Sequence, residues 1–120
     1  MQVILTTTGG GKVRFNPNLY KNGKVCLSLL GTWSGAAGEV WDASASSICQ
    51  VLVSIQSLIL VNEPYFNEPG YEETMHTVQG RNKSRQYNQE IREQTIHRAM
   101  IDYLRKPPPA FEKTIRAHFK

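Results

Sequence analysis

The sequence predicts an α+β domain: a short antiparallel sheet, one central helix and C-terminal helices packed on it. Three observations predict it. A β-branched run, Val3-Ile4-Leu5-Thr6-Thr7-Thr8, is followed by Gly9-Gly10-Gly11 and the alternating Lys12-Val13-Arg14-Phe15, which reads as a hairpin. Ile48, Val51, Leu52, Ile55, Leu58 and Ile59 recur at spacings of three and four, which makes one apolar helical stripe. A second helical pattern over 84–105 ends at Pro107-Pro108-Pro109, where proline cannot continue a helix.

In order along the chain, Gly9 to Gly11 permit the hairpin turn. Asn16-Pro17-Asn18 stops strand pairing, because proline has no N–H to give. Asn22-Gly23 signals another turn, and Lys24 to Leu30 reads as a short extended segment carrying Cys26. Residues 31–47 are rich in Gly, Ser and Ala and read as a loop anchored by Trp33 and Trp41. Ser44 or Ser46 is expected to cap the central helix, which runs to about Val61. Cys49, beside the stripe, is expected to be a buried, inert thiol. A Pro- and Asn-bearing loop follows from Asn62 to Tyr71, and the polar stretch 72–83 reads as mobile. The 84–105 helix carries Tyr87, Ile91, Thr95, Ile96, Ala99, Met100, Tyr103 and Leu104 on one face, and a last helix places Phe111, Ile115 and Phe119 together.

With 120 residues the chain fits one domain, and a domain of that size buries roughly two-thirds of its unfolded surface. It is 40% hydrophobic and 20% charged, as a globular protein is. No run approaches the ~18 apolar residues of a membrane span, and the N-terminus lacks the pattern of a signal peptide. Two cysteines make no disulfide framework and no zinc set, so a reducing, cytoplasmic or nuclear location is expected. Residues 1–80 hold four Lys/Arg against six Asp/Glu, and residues 81–120 hold ten against four. That basic end admits a nucleic-acid-binding reading, but its cations are spread along helices without interleaved aromatics. A solvated face or an acidic partner accounts for it as well.

Cys26 is the residue that carries chemistry. A thiol on a short apolar segment, eight residues after the amide of Asn18, can hold an acyl group as a thioester. A cysteine protease needs a base to take the thiol proton, but His76, His97 and His118 are scattered far from Cys26 in sequence. A thiol that accepts an acyl group from another thioester needs less help, since some thiolate is already present near neutral pH. Attack by an amine on the loaded thioester then needs an oxyanion donor, for which Asn18 is the candidate. It also needs a group that orients and deprotonates the amine. Glu63 and Glu68 are candidate carboxylates, with Asn67 and Tyr65 as orienting groups.

Phe15-Asn16-Pro17-Asn18-Leu19-Tyr20, then Asn22-Gly23 and Val25-Cys26-Leu27, resembles the active-site region of ubiquitin-conjugating enzymes. Their pattern is His-Pro-Asn, an Asn-Gly turn and the active cysteine. Trp33 or Trp41, the helix Val51 to Ile59, Glu63-Pro64, Glu68-Pro69 and Tyr87-Asn88 extend the likeness over about residues 3–106. It is strongest to the giant hybrid conjugating-enzyme/ligase members of the Apollon (BRUCE) type, through Asn-Pro-Asn and Leu60-Val61-Asn62-Glu63-Pro64-Tyr65. The resemblance implies that Cys26 carries ubiquitin, or a ubiquitin-like protein, as a thioester and passes it to substrate lysines. Asn18 would be the oxyanion and loop-ordering residue, Glu68 the acidic residue that favours the incoming lysine, and Asn16 a loop support in place of the family histidine. The implied partners are ubiquitin, the ubiquitin-activating enzyme, protein substrates and a ubiquitin ligase, with no membrane and no nucleic acid. No metal or organic cofactor is implied, and ATP is used by the activating enzyme. The chain is expected to be a single, partial catalytic domain over residues 1–120, lacking the family's N-terminal helix and first strands. A catalytically inactive ubiquitin- or partner-binding module with the same fold is the alternative.

Overall fold

The computed structural model describes residues 1–32 and 40–119. Four α-helical segments organise it: α1 (Ile48–Ser54), α2 (Val78–Gln94), α3 (Asp102–Arg105) and α4 (Glu112–His118). Among the described residues no helix is long and apolar enough to cross a membrane.

The N-terminal third supplies extended backbone. Its antiparallel pairing among the described residues consists of isolated bridges, Ile4 with Lys24, Asn16 with Leu19 and Leu19 with Val25. The expected hairpin partners are therefore not the ones that meet. Gly9, Gly10 and Gly11 all take positive φ, and the Thr8 carbonyl accepts from both Lys12 N and Val13 N at 3.0 Å. That closure reverses the chain, but no ladder continues from it among the described residues. Leu5 N donates instead to Gly23 O at 2.8 Å. Gly23 has φ +86°, and a Cβ there would stand 2.6 Å from the Leu5 carbonyl oxygen, so the approach requires glycine.

α1 is capped by Ser47 rather than by Ser44 or Ser46. The Ser47 hydroxyl accepts from Gln50 N at 3.2 Å while Gln50 Oε1 accepts from Ser47 N at 2.7 Å, a reciprocal capping box. Ser44 and Ser46 are instead engaged with Asp42. The helix widens over Ile55–Ile59 into a π-type turn, closed by Leu60 N on Ile55 O. Only part of the predicted stripe is covered. Val51 and Ile59 are buried and Ile55 is half-buried, whereas Ile48, Leu52 and Leu58 are more than half exposed. Cys49 is exposed as well, contrary to the buried thiol expected from its position. It falls on the outward side of α1, away from Val51 and Ile59.

The core joins Leu19, Val25, Leu27 and Leu30 of the N-terminal third to Val51 and Ile59, with Trp41 packed against it. Trp33 lies outside the described residues. After the turn Pro64–Asn67, the stretch expected to be mobile holds a 3₁₀ turn (Glu72–Thr74) and the first turn of α2. Thr77 rather than a later residue caps α2, accepting from Gly80 N at 3.0 Å. α2 continues through a wide turn (Thr95–Ile101) into α3, and Lys106 ends the run just before the prolines. In α4, Ile115 and Phe119 are half-buried while Phe111, at its N-cap, is exposed.

Candidate active site

The Asn16-Pro17-Asn18 turn is fastened at both of its asparagines. Asn16 is 1% exposed. Its Nδ2 donates to the Ile59 carbonyl at 2.8 Å and its Oδ1 accepts from Asn18 N at 2.8 Å. The last carbonyls of a helix have no partner within it, so the widened end of α1 offers Ile59 O to Asn16 and Leu58 O to Asn67 Nδ2 (2.9 Å). A buried polar side chain is tolerable when its groups are paired in this way.

Asn18 and Cys26 are tied in both directions. Cys26 N donates to Asn18 O at 2.8 Å, and Asn18 Nδ2 donates to Cys26 O at 3.0 Å. Thr32 clamps the other side: its hydroxyl donates to Val25 O at 2.7 Å and accepts from Leu27 N at 3.0 Å. The backbone around the thiol is thus held on both flanks, and Cys26 itself is 2% exposed. A thiol on a backbone held in this way, with a side-chain amide bonded to its own carbonyl, is an arrangement compatible with acyl transfer.

Glu68 occupies a different wall. Arg14 links it to the turn: one guanidinium nitrogen donates to Pro17 O at 2.6 Å and to Glu68 Oε2 at 3.3 Å. The same guanidinium lies 4.5 Å from the centre of the Tyr20 ring. Glu68 and Arg14 open onto a cleft of about 520 Å³ against α2, whose lining includes Tyr65, Tyr71 and Tyr87. Cys26 is absent from the described residues that line it. Burial pushes the Tyr87 phenol up to about 12, against the pull of the Arg14 charge.

Cys26, Asn18 and Asn16 therefore come together, whereas Glu68 is tied through Arg14 to the Pro17 carbonyl of their turn, with no contact to Cys26 among the described residues. Of the other candidates, Glu63 accepts from Ser84 Oγ at 3.2 Å, Asn67 anchors backbone, and Tyr65 stacks among Phe66, Tyr71 and Tyr87. The three histidines are exposed. Arg14 and Thr32 were not legible as site residues. The alternation Lys12-Val13-Arg14-Phe15, which puts both cations on one face, is the signal that points to Arg14.

The sequence matches known proteins over most of its length. The ubiquitin-conjugating enzyme family matches residues 4–95. The chain is 57% identical over 117 residues to the probable ubiquitin-conjugating enzyme E2 R521 of Acanthamoeba polyphaga mimivirus, over 98% of this chain and 8% of that protein. It is 56% identical over 117 residues to the human dual E2 ubiquitin-conjugating enzyme/E3 ubiquitin-protein ligase BIRC6, over 98% of this chain and 2% of that protein. To the probable ubiquitin-conjugating enzyme protein 17 of Caenorhabditis elegans it is 52% identical over 112 residues, 93% of this chain and 15% of that one. The chain thus spans between 2% and 15% of the length of these relatives.

Proposed function

The chain belongs to the ubiquitin-conjugating enzyme (E2) family of transferases, and from that premise we propose that residues 1–120 act as a catalytic domain with Cys26 as the ubiquitin carrier. The observation that carries this reading is the two-way tie between Asn18 and Cys26. In the first step the Cys26 thiolate attacks the thioester carbonyl that joins ubiquitin, or a ubiquitin-like protein, to the activating enzyme. A new C–S bond forms and the activating enzyme's thiolate leaves. In the second step a neutral substrate lysine attacks the loaded thioester. The tetrahedral oxyanion collapses, the Cys26 thiolate departs and an isopeptide bond remains. The proton lost by the amine passes to the Glu68 carboxylate and on to solvent.

Asn18 serves both states: at rest its amide orders the loop on Cys26 O, and in the second step the same donor turns to the oxyanion. Asn16 supports the loop from α1. The acceptors are protein lysines, with a ubiquitin ligase, separate or in the same polypeptide, bringing them in. The cytoplasm and nucleus are where this chemistry would run.

The 2% exposure of Cys26 favours a second reading, an inactive module that holds ubiquitin or a partner without chemistry. A loading assay separates the two. The chain is incubated with ubiquitin, ATP and activating enzyme, and a reductant-sensitive adduct is sought, with Cys26→Ala as control. An adduct lost in the control supports the carrier. Ubiquitin binding without an adduct, in this chain and in an upstream-extended one, supports the module.

A further inference from the structure

Asn18 sits on backbone that is fastened on both sides, and one of the fastenings is a side chain to which the proposed chemistry gives no role. The peptide unit between Pro17 and Asn18 is bonded at both of its polar groups. Its carbonyl, Pro17 O, accepts from Arg14 Nη2 at 2.6 Å, and its amide, Asn18 N, donates to Asn16 Oδ1 at 2.8 Å. A peptide unit is planar. Bonds on opposite edges therefore fix its plane, and the Cα of Asn18 lies in that plane. The next carbonyl, Asn18 O, accepts from Cys26 N at 2.8 Å. What stays free at Asn18 is the rotation of its side chain, which rests with Nδ2 3.0 Å from Cys26 O.

Arg14 is suited to holding that peptide. A hydrogen bond from an ionised donor is stronger than one between neutral groups. The same Nη2 is steadied from outside by Glu68 Oε2 at 3.3 Å. The guanidinium carbon lies 4.5 Å from the centre of the Tyr20 ring, a cation–π contact. Arg14 thus touches the chain one residue before Asn18 and two residues after it, and spans the turn that Leu19 N closes on Asn16 O at 2.8 Å. Asn16 holds the other edge of the peptide, but it is also part of the buried interior. The Arg14 side chain is 36% exposed, so it can be cut back without emptying the core.

We infer that Arg14 is a positioning residue for the second transfer step: by clamping the Pro17–Asn18 peptide it keeps the Asn18 amide aimed at the Cys26 carbonyl. It acts through Asn18 and not on the lysine. The inference rests on the proposed carrier role for what the Asn18 amide does, but not for how Asn18 is held. Displacing a catalytic group by ~1 Å can slow a reaction by on the order of 10²-fold, and losing one of several fastenings should cost less.

The test is single-turnover discharge of preloaded ubiquitin onto free lysine, compared across the unaltered chain, Arg14→Ala, Asn18→Ala and the double variant. Arg14→Ala should discharge about tenfold more slowly, with little change in loading. In the double variant Arg14→Ala should add nothing to the loss caused by Asn18→Ala, because the group that Arg14 aims has gone. A further loss of the same size there overturns the inference, since Arg14 would then act on its own, as through its charge on the incoming amine. Equal losses in loading and discharge, or an unchanged discharge, overturn it as well. If Arg14→Ala does not fold, Arg14→Lys, one bond too short for the Pro17 carbonyl, carries the same comparison. If no ubiquitin loads on the unaltered chain, the carrier reading fails first, and amide hydrogen exchange on the unloaded chain decides how Asn18 is held. Faster exchange at Asn18 N and Cys26 N in the Arg14 variant, with α2 unchanged, upholds the clamp, and unchanged exchange at those two amides ends it.

Discussion

Asn18 and Cys26 hold each other through two hydrogen bonds, one of 2.8 Å from the Cys26 amide and one of 3.0 Å from the Asn18 side chain. The second bond uses the donor that the oxyanion would need. On the proposed role of Asn18, removing it would touch the resting loop and the transition state together. Asn18→Ala is expected to slow discharge of preloaded ubiquitin by ~10²–10³, with a smaller fall in loading, since thiol exchange makes less demand on that donor. Single-turnover discharge to free lysine checks the first and a loading time course the second. Equal losses in both steps would assign Asn18 to loop order alone.

The two thiols should differ sharply in access. Cys49 is exposed and Cys26 is buried. Titration of the native chain with Ellman's reagent should show one fast thiol, lost in Cys49→Ser, and a slow one that becomes fast in denaturant. Two fast thiols in the native chain would mean that Cys26 is uncovered much of the time.

Gly80 inverts a common rule. Glycine to alanine inside a helix usually adds up to ~1 kcal/mol of stability. Here a Cβ would run into the backbone carbonyl of Thr74, which cannot step aside. Gly80→Ala is therefore expected to destabilise by about 1–3 kcal/mol, read as a lowered urea midpoint. An unchanged or raised midpoint would contradict the packing of Thr74 on α2.

The Tyr87 phenol, raised to about 12 by burial against an ordinary value of 10.0, makes a pH prediction. Between those values the unfolded chain loses a proton that the folded chain keeps. Stability must then fall as pH rises from 10 toward 12. Tyr87→Phe removes that part of the slope. Ultraviolet titration of the native chain should show one tyrosine ionising later than the rest, absent in the variant.

The sequence made the candidate site more legible than the backbone. Cys26, Asn18 and Asn16 stand within eleven residues of one another, so their meeting is nearly local and the turn chemistry between them announces it. Glu68 is 54 positions from Arg14, and no short-range pattern records that contact. In place of the predicted sheet the described residues hold isolated bridges, whose partners β-propensity alone does not encode. Helix starts were missed where capping side chains had rivals: Ser44, Ser46 and Ser47 read alike until Asp42 engages two of them. Cys49 and Leu52 show that an apolar stripe says which residues share a face, and not how much of that face a neighbour covers.

The widened end of α1 offers two adjacent carbonyls, one to Asn16 and one to Asn67. The Asn16 turn and the Asn67 turn therefore hang from a single peg, although they are far apart in the chain. A change in the register of that last turn would release the Asn16 and Asn67 amides together.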